Sequence, residues 1–225
     1  MATELAETAL IFDLDGTLID TAADLAASMN HALHEMGIGQ VPAADVRHLV
    51  GFGARRMLMR GFQIAADRDG SEAELDASLA LFLSHYEKNI AVHSRPFDHV
   101  IEMINAFRAR GARCAICTNK REAMAVLLIK TLGLTPLFEA IVGADTTAAA
   151  KPDPAPVELC LKLTGAKRAV FIGDSDTDIS AAIATRLPCF IAKFGYGPLT
   201  LSDKASAVFS DYREAAPLIE AALCA

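Results

Sequence analysis

Asp13 and Asp15 stand two residues apart in LIFDLDGTLID (residues 10–20), where an apolar run gives way to Gly16 and Thr17. Three more polar clusters each follow an apolar run: TNK at 118–120, KPDP at 151–154 and GDSDTD at 173–178. If those runs are neighbouring strands, Asp13, Asp15, Asp174 and Asp178 meet at one sheet edge. Several carboxylates cannot share a small volume as anions unless a cation or a proton compensates them. A hard divalent ion is the natural compensation, and Mg²⁺ suits best, because it keeps several waters and takes few protein carboxylates beside a substrate phosphate. Zinc would draw His or Cys, which these clusters lack. Lys151 and the Thr118 hydroxyl supply a charge and a donor for phosphoryl oxygens, and loop amides around Asp15, Gly16 and Asn119 add further donors. The chemistry implied is phosphoryl transfer.

Such side chains need elements to hold them. The apolar runs ALIF, CAIC, AIV, AVFI, CFIA and AVF, beginning at residues 9, 114, 140, 169, 189 and 207, read as short strands buried on both faces. Helical patterns separate the later ones at residues 97–110, 122–132, 156–163 and 176–185, with a last helix at 214–223. Strand alternating with helix implies an α/β fold with a parallel sheet and right-handed crossovers. Ligands then bind outside the carboxyl ends of the strands, where all four polar clusters fall. The first strand breaks the rhythm, because helical periodicity alone follows it over residues 21–93. That block is expected to be a helical cap inserted into a core formed by 1–20 and 94–225. Thr21 and Asp24 resemble a capping box at its first helix, and Gly37 resembles the stop.

Composition limits the function classes. With 52% hydrophobic and 22% charged residues the chain reads as a soluble globular enzyme. A net charge of -7 disfavours a broad grip on nucleic acid or anionic lipid. No apolar run approaches the roughly 20 residues that span a bilayer, and the acidic start is unlike a secretory signal, so a cytoplasmic monomer or homodimer is expected. The five cysteines are scattered over apolar segments and read as reduced thiols. Cys114 and Cys117 in CAIC lie three apart on a strand and should face opposite ways, which argues against a redox or zinc pair.

The four motifs, in this order, spacing and strand context, resemble the haloacid dehalogenase-like superfamily of phosphotransferases over nearly the whole chain. The helical insert resembles that superfamily's cap. Arg47 with the following HLVGFG, the TNK cluster and FGYG at 194–197 are most similar to the phosphoglycolate phosphatases within it. The resemblance implies that Asp13 is the nucleophile forming an aspartyl-phosphate and that Asp15 is general acid, then base. It implies that Thr17 orients Asp15, that Thr118, Asn119 and Lys151 bind phosphate, and that Mg²⁺ is held by Asp13, Asp174 and the Asp15 backbone carbonyl with Asp178 behind them. The substrate implied is a small phosphorylated metabolite, 2-phosphoglycolate first. Another phosphatase, a pyrophosphatase or a phosphomutase would share Asp13 and Asp15, and a non-catalytic phosphate-binding module is the alternative from a different class.

Discrimination among phosphate esters must come from the insert, because the core contacts serve them all. Gly51 and Gly53 flank a helix start whose amides and dipole favour an anion, and Arg55 follows; these three are expected to read a substrate carboxylate. Phe52 stands where the phosphatase pattern has asparagine. His31 and His34 share a helix without a third ligand and read as surface residues, and Asp153 reads as a loop residue that positions Lys151.

Overall fold

The structure, a computed structural model, describes residues 4–47, 49–51 and 53–224; Phe52 lies outside them. The chain forms β1 (Thr8–Phe12) and β2 (Ile19–Asp20), then α1 (Ala22–Glu35), α2 (Ala43–Arg47), α3 (Ala54–Ala66) and α4 (Glu72–Lys88), then β3 (Arg95–Pro96). After α5 (Val100–Ala109) it alternates β4 (Arg113–Cys117), α6 (Glu122–Thr131), β5 (Ala140–Val142), α7 (Ala155–Thr164), β6 (Arg168–Gly173), α8 (Asp176–Thr185) and β7 (Cys189–Ala192). It closes with β8 (Ala207–Phe209) and α9 (Tyr212–Cys224).

All five residues of β1 are buried. Such a strand needs partners on both edges and cover on both faces. It finds β4 on one side, with Leu10 opposite Cys114, and β6 on the other, with Leu10 opposite Val170. The six parallel strands run in the order β5-β4-β1-β6-β7-β8. The chain thus winds outward from β1 to β5, returns, and winds outward the other way from β6. Alternate residues separate the two faces: Leu10, Phe12 and Cys114 pack with α5, α6 and α9, while Ala9, Ile11 and Cys117 pack with α7 and α8. Cys114 and Cys117 therefore point apart as the spacing predicts, and all five cysteines are free. No helix of the described residues is long and apolar enough to cross a membrane.

The helices α1 to α4 leave and rejoin the core through a two-stranded antiparallel ribbon, with Ile19 opposite Pro96 and Asp20 opposite Arg95. The expected Thr21–Asp24 capping box does not form. Thr21 makes no side-chain cap bond, because its hydroxyl donates to Asp15 Oδ1 at 2.7 Å. The Asp24 carboxylate turns to the returning chain and accepts from His93 N, Ser94 N and Ser94 Oγ, so that both residues join elements instead of starting a helix. Gly37, at φ 71°, does end the first helix, with Ile38 N donating to Leu33 O. His31 stacks on His85 at 4.4 Å across α1 and α4, and His34 is exposed.

Candidate active site

The two windings separate between β1 and β6, so the loops after these strands bracket a crevice at the carboxyl edge. Asp13 begins the first loop and Asp174 the second. Asp13 Oδ1 accepts from Leu14 N at 2.7 Å and faces Lys151 Nζ at 3.0 Å. Asp174 accepts from Tyr196 N at 2.7 Å and from the Thr17 hydroxyl at 3.1 Å. The backbone comes this close only because Gly16, at φ 82°, has no side chain: a Cβ there would lie 2.5 Å from Asp174 Oδ2. Thr17 was expected to orient Asp15; its hydroxyl reaches Asp174 instead, and Thr21 is the residue that fixes Asp15.

Asp178 is an organiser behind these groups. Its Oδ2 accepts from Asp174 N, Ser175 N and Ser175 Oγ, which starts α8. Its Oδ1 accepts from Lys151 Nζ at 2.7 Å. Asp13, Asp174 and Asp178 each bring an oxygen to within 4.8 Å of the others, and all three are buried. One ammonium among three carboxylates leaves the cluster short of positive charge. Burial, opposed by Lys151 and reinforced by Asp178, pushes the Asp13 carboxyl up to about 6. Burial, reinforced by Asp178 and Asp13, pushes Asp174 up to about 8. Burial opposes the Lys151 charge, yet the Asp13 and Asp178 carboxylates raise it above the ordinary range. The donors are oxygens only, buried and undercompensated, which fits a hard divalent cation.

The second expected acid, Asp15, is also buried. Besides Thr21 it is held by Lys120 Nζ, 2.7 Å from Oδ1 and 2.8 Å from Oδ2. Burial opposes the Lys120 charge, but Asp15 outweighs it and raises that group. Lys120 Nζ also lies 4.8 Å from the centre of the Tyr86 ring on α4. Thr118 N bonds Val142 O, and its hydroxyl accepts from Lys120 N. Asn119 Nδ2 donates to Lys151 O at 3.1 Å and joins the two phosphate-binding candidates' loops, while its Oδ1 is buried with no partner among the described residues. Asp153 accepts from Ala155 N in the loop before α7.

These groups floor a cavity of about 550 Å³ whose floor includes Asp13, Asp15, Thr118, Asn119, Lys120 and Lys151. The facing wall comes from the turn before α3, with Val50, Gly51 and Gly53, and from α3 and α4, with Arg55, Phe82 and Tyr86 among others. Gly51 and Gly53 have φ 97° and 86°, and Gly53 precedes α3. Arg55 reaches the wall with its charge already matched by Glu72 and Asp76 of α4. The Tyr196 hydroxyl accepts from Thr21 N and Ala22 N and donates to Asp20, and Arg47 lies over its ring while donating to Phe194 O. Sequence reasoning missed Lys120, Tyr86 and Tyr196. Lys120 carried a signal as a lysine in a cluster at the sheet edge and Tyr196 as part of FGYG, while Tyr86 carried none.

A parallel sheet with paired aspartates after its first strand, a lysine after β5 and acidic residues after β6 defines a hydrolase class: the haloacid dehalogenase-like hydrolase model matches residues 10–192, and the chain belongs to that family. Particular relatives narrow the comparison. The phosphoglycolate phosphatase of Mesorhizobium japonicum is 48% identical over 83% of each chain. That of Agrobacterium fabrum is 38% identical over 93% of this chain and 91% of its own. A crystal structure described as a predicted phosphoglycolate phosphatase from Haemophilus somnus superposes with TM-score 0.86 at 28% identity, covering 96% of this chain and 98% of that one.

Proposed function

We propose that this enzyme is a Mg²⁺-dependent phosphatase that hydrolyses a small phosphate monoester, 2-phosphoglycolate first, through an aspartyl-phosphate on Asp13. One observation carries the reading: two buried carboxylates with different partners open on the same cavity. Asp13 lies beside Lys151, as a nucleophile for a phosphoryl group requires, and Asp15 is oriented by the Thr21 hydroxyl, as a proton carrier requires.

In the first step an Asp13 carboxylate oxygen bonds to phosphorus as the ester P–O bond breaks, and Asp15 gives its proton to the departing alkoxide. In the second, Asp15 takes a proton from water, the water oxygen bonds to phosphorus, and the bond from phosphorus to Asp13 breaks. Phosphate leaves and both carboxyl groups return to their starting states. Lys151 and the Thr118 hydroxyl hold the phosphoryl oxygens throughout, Asp178 keeps Lys151 in place, and Asn119 ties their loops together. Asp13, Asp174 and the Asp15 backbone carbonyl are the groups that would hold Mg²⁺, which supplies charge stabilisation to the transferring phosphoryl group. Residues 21–93 act as the cap that closes over the leaving group and excludes bulk water, with 1–20 and 94–225 as the core.

The test is phosphate release from a panel of phosphorylated metabolites, ranked by kcat/KM. The reading expects 2-phosphoglycolate at the head of the ranking, loss of activity in excess chelator and recovery on adding Mg²⁺. Full activity in chelator, or no release from any member of the panel, would sink it.

A further inference from the structure

We propose that Lys120 is the specificity residue of this site: its ammonium receives the carboxylate of the substrate, with the Tyr86 hydroxyl as second donor, and in doing so lets go of Asp15. The inference rests on the reading of 2-phosphoglycolate as substrate.

The cavity wall carries several cations, and their partners separate them. Lys151 is fixed between Asp13 and Asp178. Arg55, expected from sequence to meet the carboxylate, is matched by Glu72 and Asp76. Arg56 and Arg121 are exposed. Lys120 differs, because its side chain is only 7% exposed and the two hydrogen bonds of its ammonium both go to Asp15, a group that must turn toward the substrate for the reaction to proceed. Beside it, Tyr86 Oη is buried and lines the same cavity; among the described residues no hydrogen bond of ordinary length reaches it, and the Lys120 ammonium is the polar group nearest in effect. A buried phenol without a partner is costly unless a ligand completes it.

Distance selects the ligand. The ester oxygen that Asp15 protonates must lie within about 3 Å of that carboxylate. Lys120 Nζ lies 2.7 and 2.8 Å from the same two oxygens. In an O–CH₂–COO⁻ ester the carboxylate oxygens sit roughly 3 Å from the ester oxygen, as bond lengths near 1.5 Å dictate. A carboxylate one methylene away therefore falls inside the reach of Lys120. The ammonium exchanges one carboxylate for another without becoming unpaired, and Asp15 keeps its bond from Thr21 while its other oxygen, freed of the ammonium, takes from solvent the proton that it then gives to the alkoxide. An ester without a carboxylate leaves Lys120 on Asp15 and the proton carrier engaged. Recognition is thereby linked to turnover as well as to binding.

The experiment compares 2-phosphoglycolate with ethyl phosphate, which has similar size and no carboxylate, in the Mg²⁺-loaded enzyme. Wild type should prefer 2-phosphoglycolate, and Lys120→Met should collapse that ratio of kcat/KM by about 100-fold, the scale on which losing one partner of a buried charge pair acts. Glycolate should competitively inhibit ethyl phosphate hydrolysis by wild type, and far less by the variant. Tyr86→Phe, which removes an unbonded hydroxyl and retains the ring, should lower the ratio several-fold and weaken glycolate inhibition, and it keeps the test open if the lysine variant does not fold. A parallel loss on both substrates in Lys120→Met would make the lysine a support of Asp15 only and overturn the proposal. An unchanged ratio and unchanged glycolate inhibition in Tyr86→Phe would overturn the two-donor site. A wild type with no preference overturns the substrate reading itself, whereas a preference that survives Lys120→Met overturns only the assignment of Lys120.

Discussion

Metal-free protein should lose stability between pH 7 and 8, and Mg²⁺ should abolish that slope. Burial, with Asp178 and Asp13 adding to it, raises the Asp174 carboxyl from 3.8 to about 8. A carboxyl that is easier to protonate folded than unfolded contributes stability that is complete below the unfolded value and is lost as pH rises through the folded one. For Asp174 the loss from pH 7 to 8 is about 1 kcal/mol. In a chain of 225 residues that lowers Tm by about 2–4 °C. Asp13, raised only to about 6, has ionised before this window opens. His85, lowered by burial first and then by His31 and Lys88, acts in the opposite sense, since a histidine harder to protonate in the folded chain adds stability as pH rises. The thiols of Cys114 and Cys189 are pushed up by burial, so thiol ionisation in the unfolded chain matters mainly above pH 8. The assay is thermal unfolding in chelator at closely spaced pH values, in wild type and in Asp174→Asn, which nearly keeps the shape and cannot ionise. The slope should vanish in the variant, and in wild type with saturating Mg²⁺, where binding to the folded state at about 100 times Kd adds about 2.7 kcal/mol. A flat metal-free profile in wild type, or an undiminished slope in Asp174→Asn, would refute the reasoning.

Asp13→Asn should cut kcat by at least about 10³-fold with the melting curve retained, because an amide of the same shape cannot attack phosphorus; activity within tenfold of wild type removes Asp13 from the nucleophile role. Gly16→Ala forces a side chain into a φ of 82° and to 2.5 Å from Asp174 Oδ2, so Mg²⁺ affinity measured by calorimetric titration should fall, and an unchanged Kd would count against the crowding argument. Asp24→Asn swaps an acceptor for a donor facing His93 N and Ser94 N; unfolding in urea should show a loss of about 1–3 kcal/mol, and no loss would mean the crossing is held by the ribbon alone.

The sheet was legible because strands buried on both faces show as unbroken apolar runs, and all six runs became the six parallel strands. The ribbon of β2 and β3 was not, since two residues per strand carry no period. In the site, Asp13 and Asp174 could be placed because each directly follows a strand, and Lys151 because its motif lies in the loop between β5 and α7. Thr21 misled for a physical reason: a threonine before a helical run looks like a cap, and only the fold reveals that Asp15 competes for its hydroxyl and wins. Lys120 and Tyr196 stand in motifs that the sequence shows, but their partners lie across gaps that no local pattern encodes. Lys120 meets a carboxylate 105 positions earlier, and Tyr196 meets one 176 positions earlier.

The place of β1 has a consequence for how the chain is made. It is made before both of its neighbours and is buried along its whole length in the finished sheet, and those neighbours are distant: Leu10 pairs with Cys114 on one side and Val170 on the other. At about 5–20 residues per second, the second neighbour emerges roughly 8–30 s after β1. For that interval TALIF exists as an apolar segment with at least one unpaired edge, able to pair with the same segment of another nascent chain. Yield in rapid overexpression should therefore be limited by the waiting time of this strand, and slower synthesis or a holdase chaperone should raise the soluble fraction without altering the stability of the folded enzyme.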